Sequence, residues 1–175
     1  QRVQNNDANI RCYHCGSDCD DHSIQSEDKY FCCFGCKTVF EILSENNLDN
    51  FYDLNTNPGT SLKKSKKSYA YLETPEIESK ILEFSDGGIS VVQLFLPAIH
   101  CSSCIWLVEN LGKLTPGIVG STVNFPKRTA RISFKNDEIK LKELAELLAS
   151  IGYEPLISLE DTDRKKEKKR SFTFI

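Results

Sequence analysis

The chain has 175 residues, with 25 acidic against 22 basic side chains and a formal net charge of −3, which leaves room for one good-sized domain or two small ones. Its longest apolar run, residues 89–99, is broken by Gln93 and falls far short of the ~20 residues a bilayer span needs, so the chain as given is expected to be soluble. Gln1 to Asn9 is polar and carries no hydrophobic leader, so the eight cysteines point to metal or thiol chemistry in a reducing compartment rather than to a disulfide framework.

The cysteines are unevenly spread. Cys12, Cys15, Cys19, Cys32, Cys33 and Cys36 lie near the start and Cys101 with Cys104 in the middle, which suggests two modules. Cys12-x2-Cys15 is followed about twenty residues later by Cys32-Cys33-x2-Cys36, with Gly16 after the first pair and an apolar helical pattern after the second. Two such pairs, one on a turn and one opening a helix, have the ligand spacing of a tetrahedral structural Zn(2+) site. These forty residues hold few large apolar side chains, and a structural zinc supplies on the order of 10–16 kcal/mol of apparent binding energy in their place. Cys12, Cys15 and Cys36 are the expected ligands, with Cys32 or Cys33 as the fourth; Cys19, His14 and His22 are spare.

From Thr38 to Leu54 the apolar spacing predicts a helix, a turn at Glu45-Asn46-Asn47 and a short second helix. Residues 55–68 contain Pro58-Gly59 and the run Lys63-Lys64-Ser65-Lys66-Lys67 without an apolar period, and read as an exposed linker. Those lysines have neither interleaved aromatics nor a groove-reading helix, so no nucleic-acid partner is expected. Pro75 to Phe84 reads as one short helix, and Asp86-Gly87-Gly88 as a turn into the second module.

That module alternates cleanly. Ser90 to Leu96 is a predicted strand; Ser103 to Leu114 a helix with Cys104, Leu107, Val108 and Leu111 on one face; Ile118 to Phe125 and Thr129 to Lys135 strands around a turn at Pro126-Lys127-Arg128. Lys140 to Ser150 is a second helix and Tyr153 to Ile157 a last strand. The order βαββαβ is that of a ferredoxin-like sandwich, so the fold class is α+β.

Cys101 and Cys104 fall where the first strand meets the first helix. With Ser102 or Ser103 as N-cap, both thiols face unpaired N–H groups and the positive helix end, which lowers thiol pKa. Two close thiolates suit a soft monovalent ion such as Cu(I), held by two sulfurs and open to a third from a partner. A thioredoxin-like redox pair and a purely structural pair are the competing readings; the strand order and the lack of a Cys-Gly-Pro-Cys sequence count against the first. Trp106 reads as a packing residue.

On these residues the second module resembles the heavy-metal-associated domain of copper chaperones and of copper-transporting P-type ATPases. The likeness covers residues 88–158 and rests on Cys101-x-x-Cys104, Val119-x-Ser121-x-Val123-Asn124 and Ile151-Gly152-Tyr153-Glu154. It implies Cu(I) ligation by Cys101 and Cys104, with the aromatic Tyr153 near the metal loop. The family usually has Gly-Met-Thr before the first cysteine where this chain has Ala98-Ile99-His100, which makes His100 an accessory candidate as third ligand or proton-sensitive neighbour. The first module looks like the cysteine-rich metal-binding domain that precedes it in one subgroup of these pumps, through Cys12-Tyr13-His14-Cys15-Gly16, Tyr30-Phe31-Cys32-Cys33-Phe34-Gly35-Cys36 and Leu48-Asp49-Asn50-Phe51-Tyr52-Asp53-Leu54. That subgroup is associated with copper supply to cytochrome oxidase assembly of the cbb3 type, which implies the cytoplasmic side of a bacterial inner membrane.

The expected organisation is therefore a zinc-knuckle or treble-clef-like module at 1–57, a linker with a short helix at 58–87, a heavy-metal-associated domain at 88–158 and a basic juxtamembrane tail at 159–175, where Arg164 to Arg170 carries six bases against one acid. The phosphorylation motif Asp-Lys-Thr-Gly is absent, so this piece is not expected to hydrolyse ATP. The expected partners are the copper ion, a copper chaperone or other thiol donor and the remaining domains of a parent ATPase, with membrane contact only through that parent. The alternatives are a thiol-disulfide oxidoreductase using the same pair and a metal-responsive regulator.

Overall fold

The computed structural model describes residues 9–20, 22–62 and 68–159. The lysine run at 63–67 and the basic run Arg164 to Arg170 lie outside them, and with them the expectations placed there.

The chain begins with a turn that carries Cys12 and Cys15 and closes through Gly16 N–H to Cys12 O at 2.9 Å, with Gly16 at φ 77°. Strands β1 (Gln25–Ser26) and β2 (Lys29–Tyr30) form a small hairpin. Helix α1 (Phe34–Glu45) starts from Cys33, and its apolar positions Val39, Phe40 and Leu43 are buried together with Cys36. Asn47 at φ 57° reverses the chain, and the short helix α2 (Asn50–Leu54) follows as expected.

After a 3-10 turn at Ala70–Glu73 comes α3 (Pro75–Ile81), with proline in its first turn where no N–H is needed. The chain then enters the sheet as β3 (Leu82–Asp86) and returns as β4 (Ile89–Phe95). Helix α4 (Ser102–Glu109) leads through a 3-10 turn to β5 (Ile118–Asn124), β6 (Thr129–Lys135) and α5 (Leu141–Ser150). The antiparallel sheet has the order β3-β4-β6-β5. Its inner face, Val92 and Leu94 with Ala130, Ile132 and Phe134, shares one core with Leu107 and Val108 of α4 and Leu144, Ala145 and Leu148 of α5. This is the α+β sandwich expected from the alternation, with one helix crossing after β4 and another after β6.

Three expectations need correction. Residues 82–84 are strand, not helix: Leu82 pairs with Val92 and Asp86 with Ile89, and Gly87 and Gly88 turn the hairpin at φ 61° and 82°. Since β3 occupies that edge of β4, the expected last strand, Tyr153 to Ile157, is reduced to one bridge between Leu156 and Phe95. The helix expected to reach Leu114 ends at Glu109, where the Asn110 side chain donates back to Trp106 O at 2.7 Å and the chain tightens into the 3-10 turn.

A fourth correction bears on the site. Residues 55–62 are not an exposed linker, because Pro58 and Gly59 are buried and Leu62 packs against the cores of both modules. Nor do the modules have separate interiors. A small cluster of Cys12, Cys19, Ile24, Phe31, Cys36 and Phe40 belongs to the first alone, but Val39, Leu43, Leu48 and Phe51 join the sandwich core, where α2 lies against α4.

Candidate metal centres

In the first module the two loops bring Cys12, Cys15, Cys32 and Cys36 together, each offering a sulfur within 4.8 Å of the others. Cys15 and Cys32 sulfurs are 3.6 Å apart, and Cys32 and Cys36 sulfurs 3.7 Å. A tetrahedron of sulfurs about 2.3 Å from a central zinc has edges of about 3.8 Å, so the thiol cage has the size of the ion. Its charge balance fits the same ion. Hydrogen bonds from the Cys12 and then the Cys36 thiol hold Cys15 far below the ordinary thiol range, while burial pushes Cys32 up and its bond to Cys12 pushes Cys36 up. Four such sulfurs ionise together only around a cation.

Cys33 is not in this set. It is the N-cap of α1, its sulfur accepting the Cys36 N–H at 3.5 Å, and its sulfur is 3.9 Å from that of Cys32. Cys19 is buried in the small core. His22 is exposed, with its ring against Tyr30. His14 is wholly buried: Nδ1 meets the Tyr52 hydroxyl at 2.8 Å, and burial lowers its pKa to about 4, which keeps it neutral.

The second centre sits between β4 and α4. Cys101 is itself the N-cap of α4, in extended conformation, and its side chain makes no capping hydrogen bond. The Cys101 and Cys104 sulfurs are 3.2 Å apart, well beyond the ~2.05 Å of a disulfide, and none of the eight cysteines is in a disulfide. Cys104 is fully buried and Cys101 half-buried. The helix end does not lower Cys101 as expected: burial and the hydrogen bond with the Cys104 thiol raise its pKa, outweighing the N–H groups of Cys104 and Ser103.

His100 completes a three-residue group with the two cysteines. Its Nδ1 lies 2.8 Å from Ala98 O and 3.5 Å from the Cys104 sulfur. A carbonyl oxygen only accepts, so Nδ1 carries the proton and acts on Cys104 as a donor; to ligate an ion through that atom, His100 must first break its bond to Ala98. Tyr153 is buried beside Cys104, which together with desolvation holds its pKa well above the usual phenol value. Its hydroxyl has no hydrogen-bond partner among the described residues. Trp106 is half-buried against the core, with Lys113 Nζ 5.7 Å from its ring centre.

One participant has no signal in the sequence. Asn55, from the segment read as linker, places Oδ1 2.8 Å from Ser102 Oγ, 3.2 Å from Ser103 N and 3.0 Å from Ser103 Oγ. It caps the helix that bears the metal pair from 47 residues away.

Comparison with known families places both centres inside recognised domains. Residues 11–86 match the family model described as "Putative metal-binding domain of cation transport ATPase", and residues 93–154 match that of the heavy-metal-associated domain. No curated protein matches. Among solved structures, oxidized MerP from Ralstonia metallidurans CH34 aligns over 40% of this chain and 97% of its own, at 24% identity and a TM-score of 0.37. Among the described residues no helix is long and apolar enough to cross a membrane.

Proposed function

Because the chain joins a metal-binding domain of the cation transport ATPase kind to a heavy-metal-associated domain, we propose that it is the metal-handling region of a copper-translocating P-type ATPase. The observation that carries this reading is the pair of reduced thiols 3.2 Å apart, one half-exposed and one buried, on the loop that opens α4. Cu(I) is the cargo there. It arrives by ligand exchange without change of oxidation state: as the sulfurs of Cys101 and Cys104 bind, their two protons pass to the departing donor thiolates. The raised pKa of Cys101 means this thiol stays protonated until an ion arrives, so binding and proton release are coupled.

The surrounding groups serve the charged pair. His100 Nδ1–H and the unpartnered Tyr153 hydroxyl are both placed to donate to Cys104 once it is a thiolate. Cys12, Cys15, Cys32 and Cys36 hold a structural Zn(2+), which supplies folding energy and no chemistry. The region delivers Cu(I) to the pump or reports its presence by docking on the catalytic domains, at the cytoplasmic side of a bacterial inner membrane, with residues beyond 159 as the juxtamembrane approach. A copper chaperone or similar thiol donor is the partner.

The test is a Cu(I) titration of the reduced chain against a competing chelator, with zinc quantified in protein purified without added metal. The expected outcome is one tightly held Cu(I), lost in the Cys101→Ser, Cys104→Ser double variant, and one zinc retained by that variant. Tight Cu(I) binding that survives the double substitution overturns the assignment to this pair, and catalytic reduction of a disulfide substrate by the native chain would favour the oxidoreductase.

A further inference from the structure

Residues 55–60 thread between the two centres and bond to both. On one side Gly59 N–H donates to His14 O at 2.7 Å, and the Asn57 amide nitrogen faces the carbonyls of Tyr13 at 2.9 Å and Cys12 at 3.2 Å. A side chain at Gly59 would overlap the His14 ring, so the backbone is as close to that buried histidine as it can come. On the other side Asn55 Oδ1 takes up the first-turn groups of α4, Pro58 O lies 3.9 Å from the Cys104 sulfur, and Thr60 Oγ1 donates to Gly152 O at 2.8 Å, next to Tyr153.

The cap matters for the chemistry. An N-cap side chain normally accepts the N–H of the second or third helical residue. Here the N-cap is Cys101, and a sulfur spent on capping is not available to an ion. Asn55 accepts the Ser103 N–H instead, across the module boundary, so the Cys101 sulfur, which faces the Cys104 thiol at 3.2 Å, carries no capping bond. The same segment supplies the carbonyl that lies against Cys104, which has no exposed surface.

We propose that residues 55–60 form a latch over the metal pair: Asn55 is a positioning residue that caps α4 in place of Cys101, Pro58 and Thr60 hold the segment against Cys104 and Gly152, and exchange at Cys104 requires this segment to lift. An incoming donor thus meets Cys101 first, and Cys104 closes on the ion only as the latch opens. The cysteine-rich module, through His14 and the Cys12 loop, is the anchor on which the latch pivots. The latch rests on geometry alone; its consequence for ion transfer rests on the function proposed above.

The test uses the full chain, zinc-loaded and copper-free, in a Cys101→Ala background. Serine at that position would itself cap α4 and mask the effect of Asn55. The rate at which iodoacetamide alkylates Cys104 is followed by peptide mass spectrometry. Replacing Asn55 with Ala and Thr60 with Val is expected to raise that rate about tenfold, as the loss of one or two part-buried hydrogen bonds to the latch requires. Asn55→Asp keeps the accepting oxygen and is expected to retain the slow rate, while Cys12 and Cys36 stay as unreactive as before in every variant. An unchanged Cys104 rate in the double variant overturns the proposal. So does a rise that Asn55→Asp shows equally, or one accompanied by alkylation of Cys12 and Cys36, which would indicate general loosening. Because no copper enters the assay, a chain that fails the Cu(I) titration yet shows the rate rise keeps the latch and loses the transfer function.

Discussion

The two sulfur clusters of this chain make up very different shares of the cores they belong to. In the first module Cys12 and Cys36 are themselves among the handful of buried side chains, beside Ile24, Phe31 and Phe40. Without a cation the four thiols would be polar, proton-sharing groups in the middle of the structure. In the second, Cys104 is one buried member of a large sandwich interior that also holds Val92, Leu94, Leu107, Ile132, Phe134 and Leu144, and Cys101 lies half-buried at its edge. A ligand set that makes up most of a small core cannot release its ion without unfolding. One that adds a single side chain to a large core can.

That contrast is most sharply tested by stability. Cys36→Ser is expected to remove the zinc and most of the ~10–16 kcal/mol tied to it, abolishing ordered structure over residues 10–45. Metal analysis with thermal unfolding checks this, and a variant that stays folded and zinc-free would erase the distinction drawn above. Phe51→Ala comes next, at about 3–5 kcal/mol, since the ring is fully buried where α2 lies on α4. Because this core spans both modules, calorimetry is expected to show one transition for the native chain and two for the variant. Gly152→Ala is expected to cost about 1–2 kcal/mol, because its φ of 95° is strained for any side chain and a Cβ there would overlap the Thr60 hydroxyl. The smallest effect belongs to Cys101→Ser, at the half-buried position, whose stability should stay within about 1 kcal/mol of the native chain. A large drop in chemical denaturation would show that this cysteine is structural after all.

Much of this was legible from residue patterns. The alternation in residues 118–124 and 129–135 and the spacing of Leu141, Leu144, Ala145 and Leu148 gave strands and helix nearly to the residue, because each segment buries one face. The thiol spacings marked both clusters, but not which of Cys32 and Cys33 turns inward, since that depends on how α1 begins. One signal was present and unused: Asp86-Gly87-Gly88 is hairpin chemistry, with two glycines at positive φ, and implies a strand on each side. The segment at 55–60 left no trace in the sequence. Its bonds span 47 residues to Ser102 and 92 to Gly152, its side chains are small and polar, and nothing in such a stretch distinguishes a spacer from a clasp.

The hairpin strand β3 also decides how the chain can be cut. It covers β4 from Ile89 to Val92, on the side where the carboxyl-terminal segment offers only the single bridge at Leu156. A truncation starting at residue 88, the boundary the family likeness invites, would strip that side and leave a row of unsatisfied amides and carbonyls beside exposed Phe95 and Leu156. Two such pieces would zip edge to edge, so dimers in sedimentation velocity are the expected artefact of dissecting this protein there; a start near residue 68 keeps that edge paired but still strips Val39, Leu43, Leu48 and Phe51 from the shared core.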